Sequence, residues 1–518
     1  MTPTQDPIQS IVIVGGGTAG WLAAATLGKI FKNSPVRIEL VESNEIGIIG
    51  VGEATIPPFL ASIRSLGIDE VEFIQATQAS FKWGIKFEDW YQKGQSYFHP
   101  FGSIGRSIDG HELFQCWLKL QAEGDSTPLM AHSPEAMLSE HGRFFLPFNA
   151  VNTPLAGAQY ALHLDSVMVS QYLRKFAEKL GVKQVQGRVE RVDTKPCGNI
   201  ERIVLASGEA FYADFFIDCS GFRGLLIEQT LHTGYEDWSH YLPCNKAVTV
   251  QTKNVAPPNP YTVATAREAG WSWHIPLQHR SGNGYVFCDK FCSEQQAIDT
   301  LLTGLQGPRL TEPRVIPFVT GVRKKVWNKN CLALGLAQGF LEPLESTAIH
   351  LVTKTLALFV RMFPDKPGDP IQRDEFNRRV LMDYQEIRDF LVLHYCTTQR
   401  RDSDFWRHCA KMAIPSSLKQ KIDFFAVAGG LIPGVETLFQ SSSWYAVLTG
   451  MGVTPQRYNP TVDALDYSKL RLSLHSGQQA LMRAVQQQPT HEAFIQQYCP
   501  APYLDNAQAK GAQPDNAA

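Results

Sequence analysis

A chain of 518 residues can hold about three domain-sized masses of roughly 150 residues each, or one large enzyme core with insertions. Its 48 Lys+Arg against 50 Asp+Glu leave a formal charge of -2, so no chain-wide basic field exists to draw in nucleic acid or an anionic membrane. A composition of 44% hydrophobic, 19% charged and 11% aromatic residues, with Trp 10 and Phe 29, excludes bulk disorder.

In chain order, residues 11–14 (IVIV) form a short buried-strand run. Apolar positions recur at helical spacing over 18–31, and 37–42 (RIELVE) is again strand-like, so the pattern is one βαβ unit. The apolar stretch 11–27 imitates a signal peptide. No Lys or Arg precedes it, however, Asp6 does, and three consecutive glycines weaken the helix a signal needs. No other stretch reaches about 18 uninterrupted apolar residues, so no transmembrane helix is expected. Residues 166–180 read as an amphipathic helix ended by Gly181, followed by a small meander and the buried strand FFIDC, as in a dinucleotide domain resuming after an insertion. From about 350 the pattern turns helical and continues to about 498, with Pro364, Pro367 and Pro370 at the join. The terminal 1–9 and 506–518 are polar tails. The ten Cys stand apart with no CxxC pair, so neither structural zinc nor a disulfide scaffold is expected. Reduced thiols point to the cytoplasm.

Gly15, Gly17 and Gly20 fit GxGxxG between a strand and a helix, with Thr18 and Ala19 inside the loop. Such glycines serve a tight turn, a close approach to pyrophosphate and helix–strand packing, and the phosphates meet free N–H groups at the helix start. Glu42 closes the second strand at the distance expected of a ribose acceptor. GIIGVGEATIPP at 47–58 adds Gly50, Gly52 and Ala54, which read either as a turn region or as backbone lying against a flat or phosphorylated ligand. A second GxGxxG after a strand, as a nicotinamide domain needs, is absent.

The stretch 331–362 predicts a strand, a turn and then a helix. Ser346 and Thr347 stand at the N-cap, leaving N–H groups free to meet an anion. Glu345, just before them, has the ordinary reading of a cap or dipole partner. Lys82, between Phe81 and Trp83, reads by itself as a solvated surface lysine. On a strand, Trp271 and Trp273 point to one face, either as core packing or as a wall beside a cofactor or aromatic ligand.

Taken together, GGGTAGW at 15–21, GVGEATIP at 50–57, FKWGIKF at 81–87, WSWHIP at 271–276 and GFLEPLEST at 339–347 resemble the flavin-dependent tryptophan halogenase family over roughly residues 10–500. The resemblance implies an α/β fold, with a glutathione-reductase-like FAD module and a mainly helical substrate module. It implies FAD reduced by a separate flavin reductase, and hypohalous acid made from oxygen and halide. Lys82 and Glu345 then match the catalytic pair, and Thr347 and Ala348 the halide-binding N–H groups, with alanine where well-known members carry glycine. Val189, Leu336 and Ile349 match flavin contacts, and Trp271 and Trp273 stand between flavin and substrate. His99 and Phe101 match the walls that sandwich an indole, with Trp444 as a third wall. The residues that grip the amino-acid end of tryptophan have no counterpart in 438–452, since Glu436 and Tyr445 do not reproduce the spacing. Unpaired charges are costly to bury, which favours indole or another electron-rich aromatic over free tryptophan.

The expected division is a first FAD segment at 10–80, a substrate-module insertion at 81–160 and a second FAD segment at 161–230. A β insertion at 231–313, a third FAD segment at 314–365 and a helical substrate module at 366–505 follow, with a flexible tail at 506–518. A homodimer is a family expectation; no metal, nucleic acid or membrane is expected. Two alternatives stand beside the halogenase: a flavin-dependent aromatic monooxygenase and a non-catalytic flavin-binding protein.

Overall fold

A computed structural model describes residues 6–43, 52–366, 368–432 and 438–502. Strand β1 (Ser10–Val14), helix α1 (Thr18–Ile30) and strand β2 (Arg37–Glu42) form the first βαβ unit. A six-stranded sheet grows around β1 from distant stretches of chain, in the order Trp327–Asn328, Cys331–Ala333, Phe215–Asp218, β1, β2, Lys183–Gln186. All pairings but the Trp327–Asn328 edge are parallel. Parallel strands need crossovers that cover both faces, which is why residues 11–14 of β1 are all buried. Helix α1 packs on the helices Ser166–Lys179 and Ala348–Arg361. The antiparallel meander Val189–Thr194, Ile200–Leu205, Ala210–Tyr212 lies between two strands of this sheet in sequence.

A second, seven-stranded sheet runs Arg314–Pro317, Lys246–Thr252, Ser281–Phe287, Gly270–Pro276, Thr262–Arg267, Gly84–Glu88, Ser96–Pro100. Its pairings cross the boundaries drawn from sequence. Residues 314–317 join Lys246–Thr252 instead of an FAD segment, and Gly84–Glu88 joins Thr262–Arg267. Backbone donors and acceptors in a sheet must be paired, and that demand is met across any cut in the sequence. Helices from Pro370–Cys396 to His491–Tyr498 complete the molecule. One apolar core runs through both parts, joining Trp21 and Leu27 of α1 to Trp90, Trp271, Trp406 and Tyr395. Each of the ten cysteines carries a free thiol. Among the described residues no helix is long and apolar enough to cross a membrane, and no group of three or more His, Cys, Asp or Glu could hold a metal ion.

Candidate active site

A cavity of about 1190 Å³ opens at the C-terminal edge of β1. It exceeds the range usual for small-ligand pockets, roughly 300–1,000 Å³. Three glycines shape its near end by different means. Gly15 has φ +115, and a Cβ there would overlap the Cys219 carbonyl; a Cβ on Gly20 would overlap the Gly15 carbonyl. At Gly17, by contrast, a Cβ would meet nothing within 4 Å. Gly17 is also the N-cap of α1 and offers no side-chain cap, so the first N–H groups of the helix stay open to a ligand. Thr18, Ala19, Glu42, Gly52, Ala54 and Val189 line the same space, whereas Gly20 packs behind it. Gly50 lies outside the described residues. Glu42 accepts hydrogen bonds from Trp21 Nε1 (3.3 Å), Gln186 Nε2 (3.1 Å) and Gln184.

The lining also includes Trp271, Trp273, Leu336, Ser346, Thr347, Ala348 and Ile349. The two tryptophans share a face of the strand Gly270–Pro276 with ring centroids 6.0 Å apart. Trp271 Nε1 donates to Glu342 Oε2 (2.9 Å), while the buried Trp273 Nε1 has no partner among the described residues. Glu342 also accepts from Tyr395 Oη (2.6 Å), and burial pushes its carboxyl up to about 7. An open glycine floor, a bare helix start and an unpaired indole N–H all fit a long phosphorylated cofactor with polar ring atoms, as FAD is.

Thr347 stands at the N-cap, the place read from sequence for Ser346 and Thr347, and no side chain caps the helix there. Ser346 is left-handed (φ 59), and the helix Ala348–Arg361 starts at Thr347 without a side-chain cap. The Ser346 hydroxyl instead accepts from Lys82 Nζ at 3.0 Å. Lys82 is 0% exposed, contrary to the surface reading, and its ammonium lies 4.9 Å from the Phe101 ring centroid. Burial lowers the Lys82 amine to about 7, with the charge of Glu345 partly opposing the shift.

Glu345 is equally buried and turns to histidines instead of capping the helix. Oε2 meets His99 Nδ1 at 2.8 Å, and Oε1 lies 2.9 Å from His394 Nε2, an ion-pair distance without hydrogen-bond alignment. Burial alone would raise this carboxyl, but His99, by its charge and hydrogen bond, and the adjacent His394 hold it well below the usual carboxylate range.

Around His99 stand the rings of Phe390 (5.5 Å), Phe439 (6.3 Å) and Phe101 (6.4 Å). Trp444, expected as a wall, packs behind Phe390 at 5.0 Å, and Phe439 stacks on Phe390 at 3.7 Å. Glu342, Phe390, His394 and Phe439 all escape the sequence reading. Phe390 and His394 carry one faint signal, a four-residue spacing that puts them on one face of Pro370–Cys396. Of the pair weighed for an amino-acid grip, Glu436 lies outside the described residues, and Tyr445 Oη donates to Glu112 Oε2 at 2.6 Å.

The family model for tryptophan halogenase matches residues 10–467. Tryptophan 7-halogenase RebH of Lentzea aerocolonigenes is 34% identical over 490 residues, 88% of this chain and 91% of its own. Two solved structures align closely. BrvH, a flavin-dependent halogenase from Brevundimonas sp. BAL3, has 40% identity and a TM-score of 0.92, covering 95% of this chain and 99% of its own. Xcc4156, a flavin-dependent halogenase from Xanthomonas campestris, has 42% identity and a TM-score of 0.92, covering 96% and 100%. These matches favour the halogenase over the two alternatives weighed from sequence.

Proposed function

The chain belongs to the tryptophan halogenase family and is a flavin-dependent halogenase of aromatic substrates, and we propose that Lys82 and Glu345 are its catalytic pair. Enzymes of this kind use halide and reduced FAD supplied by a separate reductase. One observation carries the assignment. The tripeptide 345–347 borders the cofactor cavity through Ser346 and Thr347, while Ser346 Oγ binds buried Lys82 and the Glu345 carboxylate lies among His99 and His394.

Gly15, Gly17, Thr18, Ala19, Glu42, Gly52, Ala54, Val189, Leu336 and Ile349 would hold the cofactor, and bound reduced FAD would supply two electrons to oxygen while the halide gives up two, leaving one oxygen atom in hypohalous acid and the other in water. The N–H groups of Thr347 and Ala348, at an uncapped helix start, hold the halide. Alanine serves as well as glycine there, because only the backbone is used. Trp271 and Trp273 wall the cofactor from the substrate, so the oxidant must reach Lys82 before it meets the ring. Lys82, with a value near neutrality, can donate a proton to the leaving oxygen of hypohalous acid. The carbon–halogen bond then forms as the halogen–oxygen bond breaks, and water leaves. Glu345, kept ionised by its histidines, takes the ring proton. His99, Phe101, Phe390 and Phe439 form an apolar slot for the ring, with Trp444 supporting it.

The substrate we infer is indole or a similar uncharged aromatic, since Tyr445 is committed to Glu112 and a zwitterion would enter this slot with its charges unpaired. The test supplies the protein with FAD, a flavin reductase, NADH and bromide, and follows bromine isotope doublets by mass spectrometry for indole and for free tryptophan. Bromoindole should dominate. Lys82→Ala and Glu345→Gln should each lower bromination about 100-fold or more with FAD affinity unchanged. Full-rate bromination by either variant removes that residue from the pair, and preferred turnover of tryptophan overturns the substrate assignment.

A further inference from the structure

One face of the helix Pro370–Cys396 carries Glu386, Phe390 and His394 at four-residue spacing. His394 stands beside Glu345, and Phe390 belongs to the slot around His99. Glu386, one turn before Phe390, reaches a different segment. Its Oε1 accepts from the backbone N–H of Leu438 (2.8 Å) and of Phe439 (3.4 Å). Those two residues lie just ahead of Gln440, the N-cap of the helix Ser441–Gly450, which carries Trp444 and Tyr445. The Phe439 ring stacks on Phe390 at 3.7 Å with 12° between planes and lies 6.3 Å from His99. Trp444 meets Phe390 edge-on at 5.0 Å.

We propose that Glu386 is a positioning residue for the aromatic substrate: by clamping the backbone of 438–439 it fixes Phe439 on Phe390 and so sets the space beside His99. The inference rests on the slot given above. Residues ahead of a helix have no intrahelical acceptor for their N–H groups, and ordering them costs conformational entropy. A carboxylate accepting two such N–H groups makes charge-assisted bonds that offset this cost, and it sits at the helix end that favours negative charge. Burial raises the Glu386 carboxyl, while the N–H groups of Phe439 and Leu438 and the charges of Lys354 and Lys421 oppose the shift. Glu386 and Phe390 share one rigid helix, so the clamp and the ring that receives Phe439 keep a fixed separation. Lys82 is held elsewhere, by its strand and by Ser346, so loss of the clamp should loosen the grip on the ring without disturbing the supply of oxidant.

The test follows bromination of indole with FAD, a flavin reductase, NADH and bromide, alongside trapping of hypohalous acid by a β-diketone dye. Glu386→Ala should raise KM for indole about tenfold, with kcat and dye trapping at the wild-type level. Glu386→Gln keeps a carbonyl acceptor at the same reach and should restore most of the loss. Phe439→Ala should raise KM at least as much, and the double variant no further, because the clamp has no ring left to place. Unchanged KM in Glu386→Ala overturns the proposal, and so do losses that multiply in the double variant. An equal fall in dye trapping and bromination, the mark of general damage, overturns it too. Phe439→Ala separates the two levels: unchanged KM there defeats the slot itself, whereas a raised KM there beside a silent Glu386→Ala defeats only the clamp.

Discussion

The two sides of residues 345–347 are built from opposite materials. The cofactor cavity uses backbone where a cofactor would be gripped: glycines leave room, and helix starts present N–H groups. On the other side ionisable side chains, Lys82, Glu345, His99 and His394, are drawn together, all buried. The first solution is cheap, because unpaired helix N–H groups exist at every helix start. The second is costly, because each charge must be desolvated; that cost lowers the Lys82 amine, while the histidines beside Glu345 overcome it and keep the carboxyl low.

The largest expected effect tests the costly side. The Lys82 amine is lowered from 10.5 to about 7 in the fold, so between those values the unfolded chain holds a proton that the folded chain has released. Stability from this group therefore rises with pH across that window. Lys82→Met should unfold later than wild type at pH 7, by roughly 4 kcal/mol, with the gap closing towards pH 10.5 in thermal or urea melts. A constant gap would mean that the amine is not desolvated as described.

The next effect tests the backbone side. Gly17→Val should leave the melting temperature nearly unchanged, since a Cβ at Gly17 meets nothing within 4 Å. It should weaken FAD binding about 30-fold, roughly 2 kcal/mol, by filling ligand space. Fluorescence titration checks the affinity, and unaltered binding would place the cofactor elsewhere. The smallest effect lies at the partition. Trp271→Phe removes one of the two donors on Glu342 and should cost about 1 kcal/mol, read as a lower urea midpoint with FAD affinity retained.

Legibility followed the same division. Gly15, Gly17, Gly20 and Glu42 stand in one short βαβ unit, where spacing in sequence is nearly spacing in space, and the cavity lies where that spacing put it. Lys82 looked like a surface residue and Glu345 like a cap, because neighbours in sequence say nothing of what a strand or turn is buried against. His394 stood in no quoted motif, and Glu342 lay inside GFLEPLEST without being singled out. Their roles come from partners as distant in sequence as Glu345 and Trp271. Trp444 was singled out as a large aromatic ring, but Phe439, five residues earlier, reaches His99 instead.

By itself the sequence determined the βαβ unit, the glycine-rich turn, the paired tryptophans on one face and the helical second half, because local backbone geometry and hydrophobic period are written residue by residue. Only the tertiary structure decided the register of the seven-stranded sheet, the burial of Lys82 and the two histidines on Glu345. Desolvation and electrostatic pairing depend on what surrounds a group in three dimensions, and in this chain those surroundings come from segments hundreds of residues apart.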